Sequence, residues 1–260
     1  MHEHRPHWPI LLTLLLVGNT SSAFEVFPFV QNGETLYLKW GDNRAGTPAG
    51  SVFWSLIPPG TPGDAAFCAD ACPGNSVDTL QFEIAPGAGF APRSLASLEP
   101  QIVQALAAWS AHTGITFIRL PGDSGLPINA AGALPPATGQ IRIGVFAFAS
   151  GGGAVGFAPP PNGGSGAGDI LFDANSFYQF APGNEGDPYS TQFAPNDFAS
   201  LLLHELGHAI GLAHPVFDGS CPVMQIDPAC FGRINRVPDD DDRAGAQFLY
   251  GHLFANGFED

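Results

Sequence analysis

Five residues within one eleven-residue stretch, His204, Glu205, His208, Gly211 and His214, constrain this chain more than any other feature of its sequence. His204 and His208 are four apart, so on an α-helix their imidazoles leave one face a turn apart and can share an ion. Glu205 lies about 100° round such a helix from His204, beside that ion rather than on it and within reach of a water. Gly211 allows a sharp backbone turn that a Cβ would oppose. The turn brings back His214 as a third ligand. Three neutral imidazoles beside a carboxylate describe a zinc site with one coordination position open to water.

The rest of the chain restricts the setting of that site. Its 260 residues suffice for one sizeable core. Met1–Pro9 carries Arg5, Ile10–Val17 is apolar, and Ser21-Ser22-Ala23 supplies small residues for cleavage. This is the pattern of a secretory leader over residues 1–23, too short to span a bilayer. The expected location is therefore secreted or extracellular, with the periplasm and the cell surface as variants. Four cysteines, Cys68, Cys72, Cys221 and Cys230, allow three pairings. Cys68–Cys72 and Cys221–Cys230 are favoured because each closes a short local loop, and export suits disulfides. A second zinc site on the cysteines is the rival, with poor spacings. The net charge of −15, with Lys39 the only lysine, argues against nucleic acid or an anionic membrane as partner. A monomer acting on proteins or peptides is expected.

With 33 glycines and 25 prolines the chain should be rich in loops, and it shows no internal repeat. Residues 24–50 read as an irregular lead-in, 51–251 as the catalytic domain and 252–260 as a tail. Within the domain, Ser51–Ile57 alternates like a strand, and Pro58–Gly89 reads as an extended insertion. Ile102, Val103, Leu106 and Trp109 predict a helix over Leu98–Thr113 that ends at Gly114. Ile115–Leu120, Ile141–Phe148, Ala154–Ala158 and Asp169–Phe172 read as strands. Asn196 is placed to cap a helix from about Asp197 to Ile210. A last helix, about Asp239–Tyr250, opens with an acidic run that reads as a solvated first turn favoured by the helix dipole.

These segments resemble the matrixin-like branch of the metzincin metalloproteases over about residues 35–251. Ala105–Leu120 is similar to the family's helix-then-strand segment with an internal tryptophan. Ala154–Pro159 and Gly168–Asp173 are similar to its substrate-edge strand, glycine loop and next strand. Cys221-Pro222-Val223-Met224 stands where the family has its Met-turn, and Asp240–Gly251 resembles its closing helix. The resemblance implies an α+β, zincin-like fold: a mixed twisted sheet, two long helices including a zinc-binding active-site helix, a Met-turn and a C-terminal helix. It also implies that Met224 is the apolar floor beneath the zinc, and that substrate lies extended along Ala154–Ala158.

The departures from the family carry expectations of their own. Where matrixins commonly hold a second zinc by histidines, the matching positions are Gly156 and Leu171, so one zinc is expected. Asp169 and Asp173 match positions that resemble calcium ligands, which makes calcium a second candidate ion; the alternative is that they simply end a strand. Pro215 follows the third histidine, where vertebrate matrixins usually have serine or threonine. No tyrosine stands in the residues just after Met224, so the wall of the specificity pocket is expected to be altered. Cys72 lacks the family's Pro-Arg-Cys-Gly context and reads as half of a structural disulfide.

The activity this implies is that of a zinc endopeptidase, with Glu205 as general base. Two alternatives stand beside it: a non-catalytic, zinc-stabilised extracellular binding protein, and a zinc amidase acting on cell-wall peptides.

Overall fold

A computed structural model of the chain describes residues 24–162, 164–189 and 195–251. The expected leader and the tail lie outside these residues. The first half contains β1 (Glu25–Val26), β2 (Pro28–Gln31), β3 (Glu34–Tyr37), β4 (Ser51–Leu56), the short α1 (Ala65–Cys68), β5 (Thr79–Glu83), β6 (Phe90–Ser94), α2 (Glu99–Thr113) and β7 (Thr116–Arg119). Then follow β8 (Ile141–Phe146), β9 (Ala154–Gly156), β10 (Ile170–Asp173), β11 (Phe177–Gln179), β12 (Asn196–Asp197), α3 (Phe198–Ala209), β13 (Leu212–Ala213) and α4 (Asp240–Tyr250).

The main sheet is five-stranded, in the order β7-β4-β8-β10-β9. Its first four strands are parallel, and β9 closes the edge antiparallel to β10. All six residues of β8 are buried, as befits a central parallel strand covered on both faces. On one face, Ile102, Leu106 and Trp109 of α2 join Leu202 and Leu206 of α3 and Leu249 of α4 in one core. The indole of Trp109 is fully buried, and its N–H is satisfied by the Leu203 carbonyl at 2.9 Å. Among the described residues, no helix is long and apolar enough to cross a membrane.

Residues 24–50 are not the irregular lead-in expected. Asn32-Gly33 turns a β2–β3 hairpin, with φ of 53° and 81°, the left-handed pair that such turns require. β1 pairs antiparallel with β13, Glu25 opposite Ala213 and Val26 opposite Leu212. That partner lies at the far end of the chain, so no local pattern could reveal it. Likewise, the segment Pro58–Gly89 is no mere insertion: β5 joins a second sheet in the order β12-β11-β5-β6.

Two helix starts also differ from expectation. Asp197, not Asn196, caps α3, its carboxylate accepting from the Ser200 amide at 3.0 Å. At α4 the acidic run is only partly solvated. Asp239 and Asp242 form a reciprocal capping box, and Asp242 is buried. The two disulfides are Cys68–Cys72 and Cys221–Cys230, the local pairing.

Candidate active site

α3 carries His204, Glu205 and His208 on rigid backbone, and the chain leaves it through Gly211. That glycine has φ +105°, and a Cβ there would collide with the Leu38 carbonyl. β13 then delivers His214, steadied by its pairing with β1. The ligating atoms of His204, His208 and His214 all lie within 4.8 Å of one another. Among the described residues this is the group of three or more such side chains that could hold a metal.

The imidazole tautomers test whether these residues fit a metal. Nδ1 of His204 is 2.7 Å from the Val223 carbonyl oxygen, and Nδ1 of His208 is 2.8 Å from that of Leu212. A carbonyl only accepts, so both Nδ1 atoms carry the proton and both Nε2 atoms present lone pairs. Those two Nε2 atoms face Nε2 of His214 at 3.1 and 2.8 Å. One His214 proton can satisfy at most one of them. Converging nitrogen lone pairs are what a divalent cation requires, and the donor set suits zinc. Burial lowers the imidazole pKa at all three positions, to about 3 at His208 and about 4 at His214, with neighbouring histidine charge reinforcing it at both. All three are neutral at pH 7, the form in which an imidazole can take a metal.

Met224 is buried, its thioether against Gly207 of α3, on the helix that carries His204 and His208. A Cβ at position 207 would strike that sulfur, which explains a glycine within the helix. Asp242 holds the Met-turn in place, accepting from the amides of Val223 at 2.8 Å and Met224 at 3.1 Å. Residues beyond those the motif named also contribute. The Phe27 ring packs 6.2 Å from that of His208. Gln225 donates to the Pro215 carbonyl at 3.3 Å, tying the loop after His214 to the Met-turn. Asp242 had a signal in sequence, its capping-box position; Phe27 and Gln225 had none, because their partners are remote or irregular.

Glu205 is buried beside the triad, and burial pushes its carboxyl up to about 8, against an opposing pull from the Gly156 amide. β9 passes so close to α3 here that a Cβ on Gly156 would meet the Glu205 carbonyl oxygen. No histidine could be accommodated at that position. The cleft has a volume of about 1010 Å³ and runs between β9 and the segment after the Met-turn. That lies at the upper end for ligand pockets and is large enough for several side chains.

Asp169 and Asp173 sit at opposite ends of β10, with roughly 13 Å of extended backbone between them. Asp173 accepts from the amides of Phe148 and Asn175 and from the Ser176 hydroxyl. Asp169 accepts from the Arg142 amide at 3.0 Å, and its other oxygen faces the Arg142 guanidinium at 4.0 Å. Burial raises the Asp169 carboxyl well above its ordinary value. That guanidinium, fully buried, is itself held by Asp123 at 2.8 Å. An internal cation thus already stands beside Asp169.

An edge strand packed on a helix that bears a histidine triad, with a buried methionine against the same helix, is an arrangement of the metzincin type. The sequence model of the Matrixin family matches residues 78–251, and the chain belongs to that family. It is 31% identical over 176 residues to Matrix metalloproteinase-25 of Mus musculus, covering 61% of this chain and 25% of that protein. It is 30% identical over 165 residues to Matrix metalloproteinase-2 of Drosophila melanogaster, covering 59% of this chain and 18% of that protein. The chain therefore spans a quarter or less of the length of these relatives. Matrixins use zinc, which the triad fits, and the family points to zinc-dependent endopeptidase chemistry.

Proposed function

We propose that this chain is a secreted zinc endopeptidase that hydrolyses protein substrates, with Glu205 as its general base. The observation that carries this reading is the pair of fixed tautomers. They aim two imidazole lone pairs at His214 and leave a buried carboxyl alongside. His204, His208 and His214 would hold the zinc. When bound, it supplies Lewis acidity, acidifying water to a pKa of about 7 and polarising a carbonyl.

The remaining roles fall to the protein. Glu205, one residue from His204 on the same helix and buried beside the triad, would take a proton from the attacking water and pass it to the departing amine. β9, which among the described residues has no strand paired to its outer edge, offers main-chain hydrogen bonds to an extended peptide. Secretion is supported by the leader pattern of residues 1–23 and by two disulfides, which suit an oxidising compartment.

The test compares zinc-loaded chain with its Glu205→Gln variant on casein and on quenched fluorescent peptides. Hydrolysis that a chelator abolishes, and that falls at least about 10³-fold in the variant while zinc stoichiometry is kept, is the expected result. Undiminished hydrolysis by the variant removes Glu205 as base. Zinc binding without any hydrolysis by the parent chain favours the non-catalytic reading.

A further inference from the structure

The cleft contains a charged group that the proposed chemistry does not use. Arg233 lines it, in the segment that follows Met224 in the chain. Every other basic side chain among the described residues is engaged. Lys39 donates to backbone carbonyls, Arg93 lies over Phe82 and Phe180, and the remaining arginines pair with carboxylates. Arg233 alone among them has no such partner, and its side chain is exposed.

Its backbone is well anchored. Tyr189 donates to the Gly232 carbonyl at 2.8 Å, and the Ile234 amide donates to the Asp187 carbonyl at 3.0 Å. Pro188 and Arg233 therefore face each other across a short antiparallel bridge. Ile234 points into the protein and is buried, so by strand alternation its neighbour Arg233 points the other way, to the cleft. The segment is also tied at both ends. The Cys221–Cys230 disulfide lies before it, and after it Arg236 pairs with the buried Asp197. An exposed guanidinium on an anchored backbone thus borders a cleft whose other acidic or basic lining residue, apart from the histidines, is the buried Glu205, in a chain of net charge −15.

We propose that Arg233 is a specificity-determining residue that selects substrates carrying a glutamate or aspartate side chain at one fixed position near the scissile bond. A planar guanidinium takes a carboxylate through two parallel hydrogen bonds, which a lysine or an amide cannot reproduce. The surrounding field of the protein repels acidic peptides, so acceptance of one depends on this local cation. The proposal rests on the endopeptidase reading for its catalytic readout but not for its binding readout.

Two measurements test it. In the first, zinc-loaded chain and its Arg233→Ala, Arg233→Lys and Arg233→Glu variants digest a peptide library. The parent should enrich acidic residues at a single position. In Arg233→Ala, kcat/KM for the acidic peptide should fall about tenfold while that for its glutamine counterpart changes less than about twofold. Arg233→Lys should recover part of the loss, and Arg233→Glu should turn the preference toward lysine or arginine. In the second, calorimetry measures binding of the same glutamate and glutamine peptides to the zinc-loaded Glu205→Gln variant, with and without Arg233→Ala. A five- to tenfold tighter Kd for the glutamate peptide, lost with Arg233→Ala, supports the proposal even if no peptide is cut. Cleavage without acidic preference, a preference that survives Arg233→Ala, or equal or absent binding of the two peptides overturns it.

Discussion

The Val223 carbonyl oxygen lies 2.7 Å from Nδ1 of His204, so the backbone of the Met-turn sets the tautomer of a candidate zinc ligand. That carbonyl is itself positioned, because the Val223 and Met224 amides both donate to the buried carboxylate of Asp242. Asp242→Ala would strand two buried amides and should cost about 2–4 kcal/mol of stability. It should also weaken zinc binding by about 10- to 100-fold, since the partner that orients His204 is released. Asp242→Asn should behave similarly, because its NH₂ group would face a backbone N–H. Urea melts with competitive zinc titrations provide the check; an asparagine variant as stable and as tight as the parent would refute the relay.

Gly211→Ala should be more damaging than its position outside the helix suggests. The residue sits at φ +105°, and the added methyl would strike the Leu38 carbonyl and crowd Leu249. Strain and overpacking together should cost at least about 2 kcal/mol. Because the turn delivers His214, zinc stoichiometry or affinity should drop with it. A variant that melts with the parent and binds one equivalent of zinc as tightly would contradict this account.

Calcium should have little effect at Asp169. Its carboxyl is buried against the Arg142 guanidinium, which supplies positive charge from within the protein. Adding millimolar calcium to zinc-loaded, calcium-stripped protein should move the melting temperature by less than about 1 °C. Arg142→Leu, by contrast, leaves Asp123 and Asp169 buried without their cation and should cost about 3–5 kcal/mol. A saturable calcium-dependent rise of several degrees in the parent protein would restore the two aspartates as ligands.

Acid should weaken the metal-free protein through its histidines. His208 and His214 protonate near pH 3 and 4 when folded, chiefly because of burial, but near their ordinary 6.5 when unfolded. Between about pH 6.5 and 4 the unfolded chain therefore binds protons that the folded chain refuses, and stability falls as pH drops. Burial raises Glu205 and Asp242 instead, so they act in the opposite sense below about pH 8. The histidine part is read by difference, comparing chelator-treated parent with His208→Gln from pH 7.5 to 4.5. The variant should lose less stability on acidification; parallel curves would rule out the contribution.

The histidine cluster was legible in sequence because its members are local. His204, Glu205 and His208 lie on two turns of one helix, and the glycine that redirects the chain identifies itself. The helix at Glu99–Thr113 was equally readable from Ile102, Leu106 and Trp109, although Val103, which shares the pattern, is half exposed. What escaped depends on pairing between distant segments. β5 and β6 lie in proline- and glycine-rich sequence, and their sheet forms only when β11 arrives from far along the chain. Nothing in the strand period marks Arg142 as buried, and the carboxylate that pairs with it, Asp123, lies in a loop. Asp197 and Arg236 pair across 39 residues of chain, which strand and helix periods do not encode.

The pairing of β1 with β13 has a consequence for biosynthesis. Glu25 and Val26 leave the ribosome long before Leu212 and Ala213, yet the strand that presents His214 is complete only when the two segments meet. Closing so large a loop belongs to the late stages of folding. A nascent chain therefore carries β1 without its partner until Leu212 and Ala213 have been made, and the candidate metal triad can assemble only after that.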